Sequence, residues 1–185
     1  MSRRRWRVLG LLLCSIACRE HYDSLDGDGA GTITCDPDDA CKRFVDGACV
    51  APEPPAGCTT THDAAGCYAL CPYELTWEGA RTNCLVAEGW CLAQIDNGLQ
   101  NQLLSSVGIT WRAWIGLSQS STATDPTAGW AWTCGGPLLF ENWYIQADGD
   151  GVENGESQCA YLEVGNWSWS DWVCSVPLPS VCRLR

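Results

Sequence analysis

One stretch decides the fold of this chain: it begins with Asn142-Trp143 and ends with Trp167-Ser168-Trp169-Ser170-Asp171-Trp172-Val173-Cys174. Between these ends lies an acidic loop, residues 145–156, whose oxygen-bearing side chains include Asp148, Asp150, Glu153, Asn154 and Glu156. Three glycines in the loop favour a backbone that folds back on itself and directs several carboxylates to one point. Oxygen ligands without nearby His or thiolate select calcium rather than zinc. The stretch therefore predicts a calcium-dependent recognition site.

Residues 1–18 predict a secretory signal peptide. Four arginines precede an apolar run at residues 8–17, which is too short to span a bilayer but suits the hydrophobic region of a signal. The run ends in Ser15-Ile16-Ala17-Cys18, which resembles a bacterial lipobox and predicts a lipid on Cys18; a plain signal peptide is the alternative. We therefore expect an exported protein, either a lipoprotein of the outer membrane or cell surface or a secreted protein, whose membrane contact is this anchor alone.

The net charge limits the kinds of partner, and the cysteine content indicates an oxidising compartment. Removing residues 1–18 takes four of the 11 basic residues and none of the 22 acidic ones, so the net charge changes from −11 to −15 and nucleic acid is excluded as a partner. Twelve cysteines remain when Cys14 and Cys18 are set aside. In an exported chain they predict disulfides, and the lack of any Cys-x-x-Cys pair argues against zinc.

Composition divides the mature chain into two parts. Residues 19–57 combine a Gly- and Asp-rich run with three cysteines and few apolar side chains, which predicts a flexible tether and a small cysteine-rich head. Residues 58–185 hold the aromatic and aliphatic residues that one core needs. We expect this second part to be the functional domain.

Two helices are predicted first. Thr76 caps a helix that ends near Gly89, and the residues that recur at helical spacing in it are Trp77, Ala80, Arg81, Cys84 and Leu85. Asp96 or Asn97 caps the second, and its predicted buried face consists of Leu99, Leu103 and Leu104. Short strands are predicted at residues 67–70, 111–117, 129–133, 159–163 and 181–184, and a short strand or extended turn at residues 92–95. Helices followed by antiparallel strands indicate an α+β fold.

The order of several short motifs carries a family resemblance. They are Cys67-Tyr68, Leu75-Thr76-Trp77, Leu92-Ala93-Gln94-Ile95, Trp114-Ile115-Gly116-Leu117, Trp130-Ala131-Trp132, Asn142-Trp143, Cys159-Ala160, Trp169-Ser170-Asp171 and Val181-Cys182. In this order and spacing, residues 58–185 resemble a C-type lectin-like domain of the long form. The resemblance implies a disulfide-stapled α+β fold with two helices, small antiparallel sheets and a long loop.

The resemblance also implies part of the disulfide pattern. It pairs Cys84 with Cys182, Cys159 with Cys174, and Cys58 with Cys67 as the extra bridge of the long form. In that case one bridge joins the head cysteines 35, 41 and 49 to the group 71, 91 and 134. Alternatively, the first four cysteines close among themselves, and cysteines 67, 71, 91 and 134 pair with one another.

Calcium ligands follow from the same resemblance. Asp171 matches the strand aspartate of sugar-binding members, Glu156 the loop glutamate, and Gln146 and Asp148 the loop amide and acid. Alanine replaces the proline between these last two, and Ser170 stands where asparagine is usual. Each lost oxygen weakens a calcium site, and the side chains that can compensate are Asp150, Glu153 and Asn154.

Two binding functions remain from the sequence. One is a lectin that recognises a glycan, with calcium as a cofactor and with ligand contacts from Tyr144, Trp167 and Trp172. The other is a calcium-independent domain that binds a surface protein, which Ser170 and the missing proline favour. An enzyme is not expected, because residues 67–185 contain no His or Lys to act as a base.

Overall fold

The computed structural model describes residues 35–36, 39–46, 48–106, 109–125, 127–144 and 157–185. Its elements, in chain order, are β1 (Arg43–Val45), β2 (Ala48–Val50), β3 (Thr59–Asp63), β4 (Gly66–Leu75), α1 (Trp77–Val86), β5 (Trp90–Leu92), α2 (Gly98–Ser106), β6 (Ala113–Gln119), β7 (Trp130–Trp132), β8 (Ser157–Leu162), β9 (Trp169–Val173) and β10 (Leu178–Leu184). The described residues of the head belong to the same unit as residues 58–185. Within the described part of the chain, no helix is long and apolar enough to cross a membrane.

Most strands join one sheet, in the order β3-β4-β10-β6-β8-β9, with β5 on β10 and β7 on β6. All of its ladders are antiparallel except that between β10 and β6. The strands β1 and β2 form a separate hairpin in the head. The predicted α+β fold with two helices and several disulfides is therefore confirmed, although the first strand is longer than residues 67–70 and β3 was not predicted.

Helix α1 forms where local signals agree. The side chain of Thr76 caps its first turn by accepting a hydrogen bond from the N–H of Gly79 at 3.2 Å, as predicted. Trp77, Ala80 and Cys84 repeat at helical spacing and are buried. The helix ends at Val86, three residues before the predicted stop. Its buried face therefore rests on the sheet through three of the predicted positions, whereas Leu85, which the pattern also included, is 44% exposed.

Helix α2 differs from the prediction on one face. Asn97 caps it by accepting from the N–H of Gln100 at 3.0 Å. Leu103 and Leu104 are buried, but Leu99 is 68% exposed, so the predicted buried set of three leucines is wrong at this position. Asn101 takes the inward position instead and is buried. The helix thus presents a polar side chain to the core, where it meets the strand that carries Asp171.

The middle of the core depends on a close backbone approach at Gly116. Its N–H donates to the carbonyl of Ala93 at 2.7 Å, and its carbonyl accepts from the N–H of Thr133 at 2.8 Å. A Cβ atom at this position would lie 2.4 Å from the carbonyl oxygen of Leu92. Only glycine fits between these segments, which explains its place in the Trp114-Ile115-Gly116-Leu117 motif.

Six disulfides cross-link the described residues: Cys35–Cys49, Cys41–Cys67, Cys58–Cys71, Cys84–Cys182, Cys91–Cys134 and Cys159–Cys174. Two of them, Cys84–Cys182 and Cys159–Cys174, are the pairs that the family resemblance implied. Neither arrangement considered for the remaining cysteines is present. Because Cys41 is buried and bonded to Cys67 on β4, the head is fastened to the sheet.

The predicted bridge between Cys58 and Cys67 is wrong, and the register of one hairpin explains why. Strands β3 and β4 pair Thr59 with Leu70 and His62 with Cys67. Cys58, one residue before Thr59, therefore lies opposite Cys71 and bonds to it. Four residues of extended strand, about 13 Å, separate Cys58 from the residue opposite Cys67, which is far beyond disulfide reach.

Candidate ligand-binding site

The described residues fix both ends of the acidic loop to strand β9. Before the loop, the N–H of Tyr144 donates to the carbonyl of Trp169 at 2.8 Å, and the N–H of Trp169 donates to the carbonyl of Asn142 at 2.7 Å. After the loop, Ser157 pairs with Val173 in the ladder between β8 and β9. The Cys159–Cys174 bridge closes the same hairpin. The loop therefore leaves and rejoins the fold beside the strand that carries Asp171.

A turn before β9 is held by two asparagine side chains. Trp167 has a backbone φ of 58°, a left-handed conformation that is uncommon for a bulky residue. Its carbonyl accepts hydrogen bonds from the side-chain amides of Asn101 at 3.0 Å and Asn142 at 2.8 Å. Asn101 also accepts from the indole N–H of Trp169 at 3.0 Å. These bonds offset the backbone strain and fix the start of β9.

Ser170 and Asp171 lie on opposite faces of β9. Ser170 pairs with Tyr161 of β8, whereas Asp171 pairs with Ala160, and directly paired residues share a face. Ser170 is 5% exposed and hydrogen-bonds with the hydroxyl of Tyr161. Asp171 is only partly buried. The two predicted calcium ligands are therefore neighbours in sequence but lie on opposite faces of the strand. The hydroxyl of Ser170 already has a hydrogen-bond partner in Tyr161.

On the face of β9 beside Tyr161, the guanidinium of Arg112 packs against two aromatic rings. The guanidinium of Arg112 lies 5.3 Å from the ring centroid of Tyr161 and 5.1 Å from that of Trp172, and it forms an ion pair with Glu163 at 3.2 Å. Burial raises the pKa of the Tyr161 hydroxyl; hydrogen bonding to Glu163 raises it as well, whereas Ser170 and Arg112 lower it. Trp172, predicted as a ligand contact, is therefore part of this packing.

The other two predicted aromatic contacts are Tyr144 and Trp167. Tyr144 is 39% exposed and stands immediately before the loop. Trp167 is partly buried and packs against the core cluster that contains Trp169. Below them Trp143 contacts both Trp130 and Trp169, with ring centroids 4.7 and 5.9 Å apart. Of the predicted aromatic residues, Tyr144 offers the most accessible surface for a ligand.

Several predicted residues lie outside the described part of the chain. They are the lipidation site Cys18, the metal-ligand candidates Gln146, Asp148 and Glu156, and the compensating residues Asp150, Glu153 and Asn154. Among the described metal-ligand candidates, Asp171 supplies a carboxylate suited to calcium, whereas Ser170 is buried on the opposite face of β9. The proposed calcium site therefore rests on Asp171 and on the anchoring of the loop ends.

One other group in the described ranges brings three possible metal ligands together, namely Asp39, Cys41 and His62. The sulfur of Cys41 is bonded to Cys67 and cannot act as a thiolate ligand. His62 instead contacts the carboxylate of Asp39 at 3.4 Å. This contact is a second attachment between the head and the β3–β4 hairpin.

Asn101 is the positioning residue that the sequence pattern did not reveal. Its place in the chain gives a weak signal, because it lies three residues before the buried Leu104 and so shares its helical face. A polar residue on such a face requires a partner, and here the partners are Trp169 and Trp167. The face of α2 is therefore tied to the turn that leads into β9.

Comparison with known proteins agrees with this architecture. The family model described as "Lectin C-type domain" matches residues 73–184, and the chain belongs to this family. The secretory phospholipase A2 receptor of Mus musculus is 32% identical over 111 residues, which cover 59% of this chain and 7% of the receptor. The chain therefore corresponds to a small part of that relative's length.

Solved structures show the same fold. The human scavenger receptor C-type lectin carbohydrate-recognition domain superposes with a TM-score of 0.58 at 20% identity, covering 71% of this chain and 98% of that one. A calcium-independent type II antifreeze protein gives a TM-score of 0.56 at 23% identity, covering 72% and 95%. Solved structures with this fold thus include a carbohydrate-recognition domain and a protein described as calcium-independent.

The family match bears on the broad class of the protein. The matched family model is a lectin domain, which agrees with the expectation that this chain is not an enzyme. The matching receptors are animal proteins, and they give no support to a bacterial lipoprotein N-terminus. The class is therefore a C-type lectin-like binding domain.

Proposed function

We propose that this domain binds carbohydrate at the face formed by the acidic loop and strand β9. The observation that carries the proposal is the attachment of both loop ends to β9, through Tyr144 on one side and Ser157 on the other. Residues 144 and 157, which flank the loop, are thus both held beside the strand that carries Asp171. Tyr144 adds an exposed aromatic surface on which the apolar face of a sugar ring can stack.

Calcium is the proposed bridge between the domain and the sugar. Asp171, Gln146, Asp148 and Glu156 supply oxygen ligands of the kind that calcium prefers, and Asp150, Glu153 and Asn154 provide further oxygens in the same loop. Ser170 is left out of this set because it is bonded to Tyr161 on the other face of β9. The bound ion would draw the loop carboxylates together.

Calorimetry and binding to a glycan array, each in calcium and in EDTA, test the two parts of this proposal. Calcium at about 100 times its Kd should raise the free energy of unfolding by about 2.7 kcal/mol. Asp171→Asn should remove this gain and the retention on glycans. Asp125→Asn, on an exposed turn, is the matched control and should keep both. Equal glycan binding by the Asp171 variant and the parent protein would contradict the calcium-bridged mechanism.

A second candidate function is calcium-independent binding of a surface protein. The buried hydroxyl of Ser170 and its bond to Tyr161 favour it, because they remove one oxygen from the proposed metal shell. In this case EDTA leaves both the melting temperature and partner binding unchanged. Retention of a partner protein in EDTA, without binding to any glycan, would support this second function over the first.

Export is proposed from residues 1–18 and agrees with six disulfides, which persist in oxidising compartments. Acylation of Cys18 and anchoring at a membrane remain predictions from the sequence. Mass spectrometry of the secreted or membrane-extracted protein distinguishes a lipid-modified N-terminal Cys18 from a plain signal cleavage. A chain that begins at another residue without added lipid mass would contradict the anchor.

A further inference from the structure

A cavity of 420 Å³ lies between the end of helix α1 and the proline-rich segment that precedes β3. Residues 52–56 form one wall, and Asn83, Val86, Ala87 and Glu88 form the other. Its volume falls within the range of small-ligand sites. None of the residues that line it belongs to the loop face described above, so the cavity is independent of the proposed lectin site.

The two walls are rigid and are joined to each other. Three prolines among residues 52–56 restrict the backbone of the first wall. The hydroxyl of Tyr73 donates to the carbonyl of Ala56 in that wall and accepts from the side-chain amide of Asn83 in the other at 3.2 Å. The Cys58–Cys71 bridge anchors the end of the proline segment to β4. The cavity is therefore preformed.

The charge inside the cavity is negative. Glu53 and Glu88 line it, no lining residue is basic, and neither carboxylate forms an ion pair with another described residue. The last turn of α1, which carries the partial negative charge of a helix C-terminus, contains no basic residue. Arg43 approaches Gly89 from the head, beyond the lining residues. A cation fits this environment better than an anion or a neutral group.

Exposed apolar side chains lie at the rim of the cavity and on the head. Val86 is 82% exposed at the rim, and Leu85 beside it is also exposed. On the head, Phe44, Val45 and Val50 are exposed on the β1–β2 hairpin, and Val50 stands two residues before the first proline of the wall. A partner that only carried charge would leave these apolar side chains uncovered. The partner must therefore combine a cation with apolar neighbours.

We propose that this cavity is a docking site for an arginine side chain in an extended segment of a partner protein, with an apolar residue beside the arginine. The planar guanidinium can donate to both Glu53 and Glu88, and its aliphatic stem can lie along the proline wall. The apolar neighbour covers Val86. This interaction surface lies outside the loop face, so the domain can hold a protein partner and a second ligand at separate places.

Nuclear magnetic resonance titration of the intact, oxidised protein with acetyl-leucyl-arginine amide tests this site. The citrulline analogue has the same shape without the charge and serves as the control ligand. Saturable shifts are expected at the amides of Asn83, Val86 and Glu88, with a Kd of the order of 1 mM. The citrulline peptide should bind about tenfold more weakly, because the charge-assisted hydrogen bonds are lost.

Substitutions of the two lining glutamates test whether the peptide binds in the cavity. The double change Glu53→Gln and Glu88→Gln should weaken arginine-peptide binding about tenfold. Glu78→Gln, on α1 but outside the cavity, should leave it unchanged. Unchanged melting temperatures show that the variants remain folded. Equal binding of the arginine and citrulline peptides, shifts spread over other acidic residues, or no saturable shift up to about 10 mM peptide would each overturn the proposal.

Discussion

The indole N–H of Trp169 donates a hydrogen bond to the side-chain oxygen of Asn101 at 3.0 Å and joins helix α2 to strand β9. Both residues are buried, and the side-chain NH₂ group of Asn101 donates to the carbonyl of Trp167. One side chain thus accepts from the indole N–H of Trp169, which would otherwise be buried without a partner, and shares the Trp167 carbonyl with Asn142. The position of Asp171, two residues after Trp169, depends on this arrangement.

Replacing Asn101 should therefore destabilise the domain. Asn101→Ala leaves the Trp169 indole N–H without its acceptor, and the free energy of unfolding is expected to fall by about 2 kcal/mol. Chemical denaturation with tryptophan fluorescence measures this change. Gln102→Ala, on the exposed side of the same helix, is the control and should change stability by less than about 0.5 kcal/mol. Equal effects of the two variants would refute the role given to Asn101.

Adding one methyl group at Gly116 should be more damaging. In Gly116→Ala the new Cβ meets the carbonyl oxygen of Leu92 at 2.4 Å, so two backbone segments must separate. The expected loss is about 3 kcal/mol or more. Gly98→Ala provides the control, because its Cβ has an ordinary contact of 3.9 Å with Phe140. That variant should be neutral or more stable by up to about 1 kcal/mol, and thermal melting of both compares them directly.

Two disulfides close loops of nearly equal length. Comparing the removal of each one distinguishes an effect on stability from an effect on ligand binding. Cys159–Cys174 spans 15 residues at the base of the acidic loop, and Cys35–Cys49 spans 14 in the head. Each is worth about 3 kcal/mol in the chain-entropy model. Replacing the first pair with alanines should also reduce glycan retention, because it releases the strands that anchor the loop. Loss of retention on removing the head bridge instead would contradict that link.

High pH should weaken the fold through Tyr68. Burial raises the pKa of its hydroxyl well above the usual value, so the folded protein holds this proton where the unfolded chain releases it. The stability is therefore complete below about pH 10 and falls as the pH rises above it, and Tyr161, whose pKa is also raised, adds to the decline.

Denaturation curves between about pH 8 and 11 measure this decline. Tyr68→Phe should make the curve of stability against pH flatter. Tyr144→Phe, at an exposed tyrosine, should keep the slope of the parent protein. An unchanged slope in the Tyr68 variant would show that the alkaline decline has another source.

Local signals predicted helix α1 and part of its packing. Thr76 and the spacing of Trp77, Ala80 and Cys84 act within one short segment, so the sequence alone contains their effect. The family resemblance, which rests on the order of the motifs, also predicted disulfides between residues that are distant in sequence, such as Cys84–Cys182. These features were predictable because each depends on a few residues at fixed spacing.

Features that depend on strand register were not predictable in the same way. Strand β3 is exposed on both faces and lacks an alternating pattern, so its pairing with β4 gave no signal and the partner of Cys58 was assigned wrongly. Leu99 fits the helical pattern of its neighbours but faces solvent, because Asn101 occupies the inward side. The separation of Ser170 from Asp171 likewise follows from the pairing of β8 with β9.

The bridge between Cys41 and Cys67 has a practical consequence for recombinant expression. A gene fragment cut at residue 58, where the aromatic-rich sequence begins, would encode Cys67 without its partner. The odd thiol would then be available for exchange with the other cysteines and for crosslinking between molecules during oxidative refolding. A fragment that starts at or before Cys35 retains every cysteine of the six observed pairs.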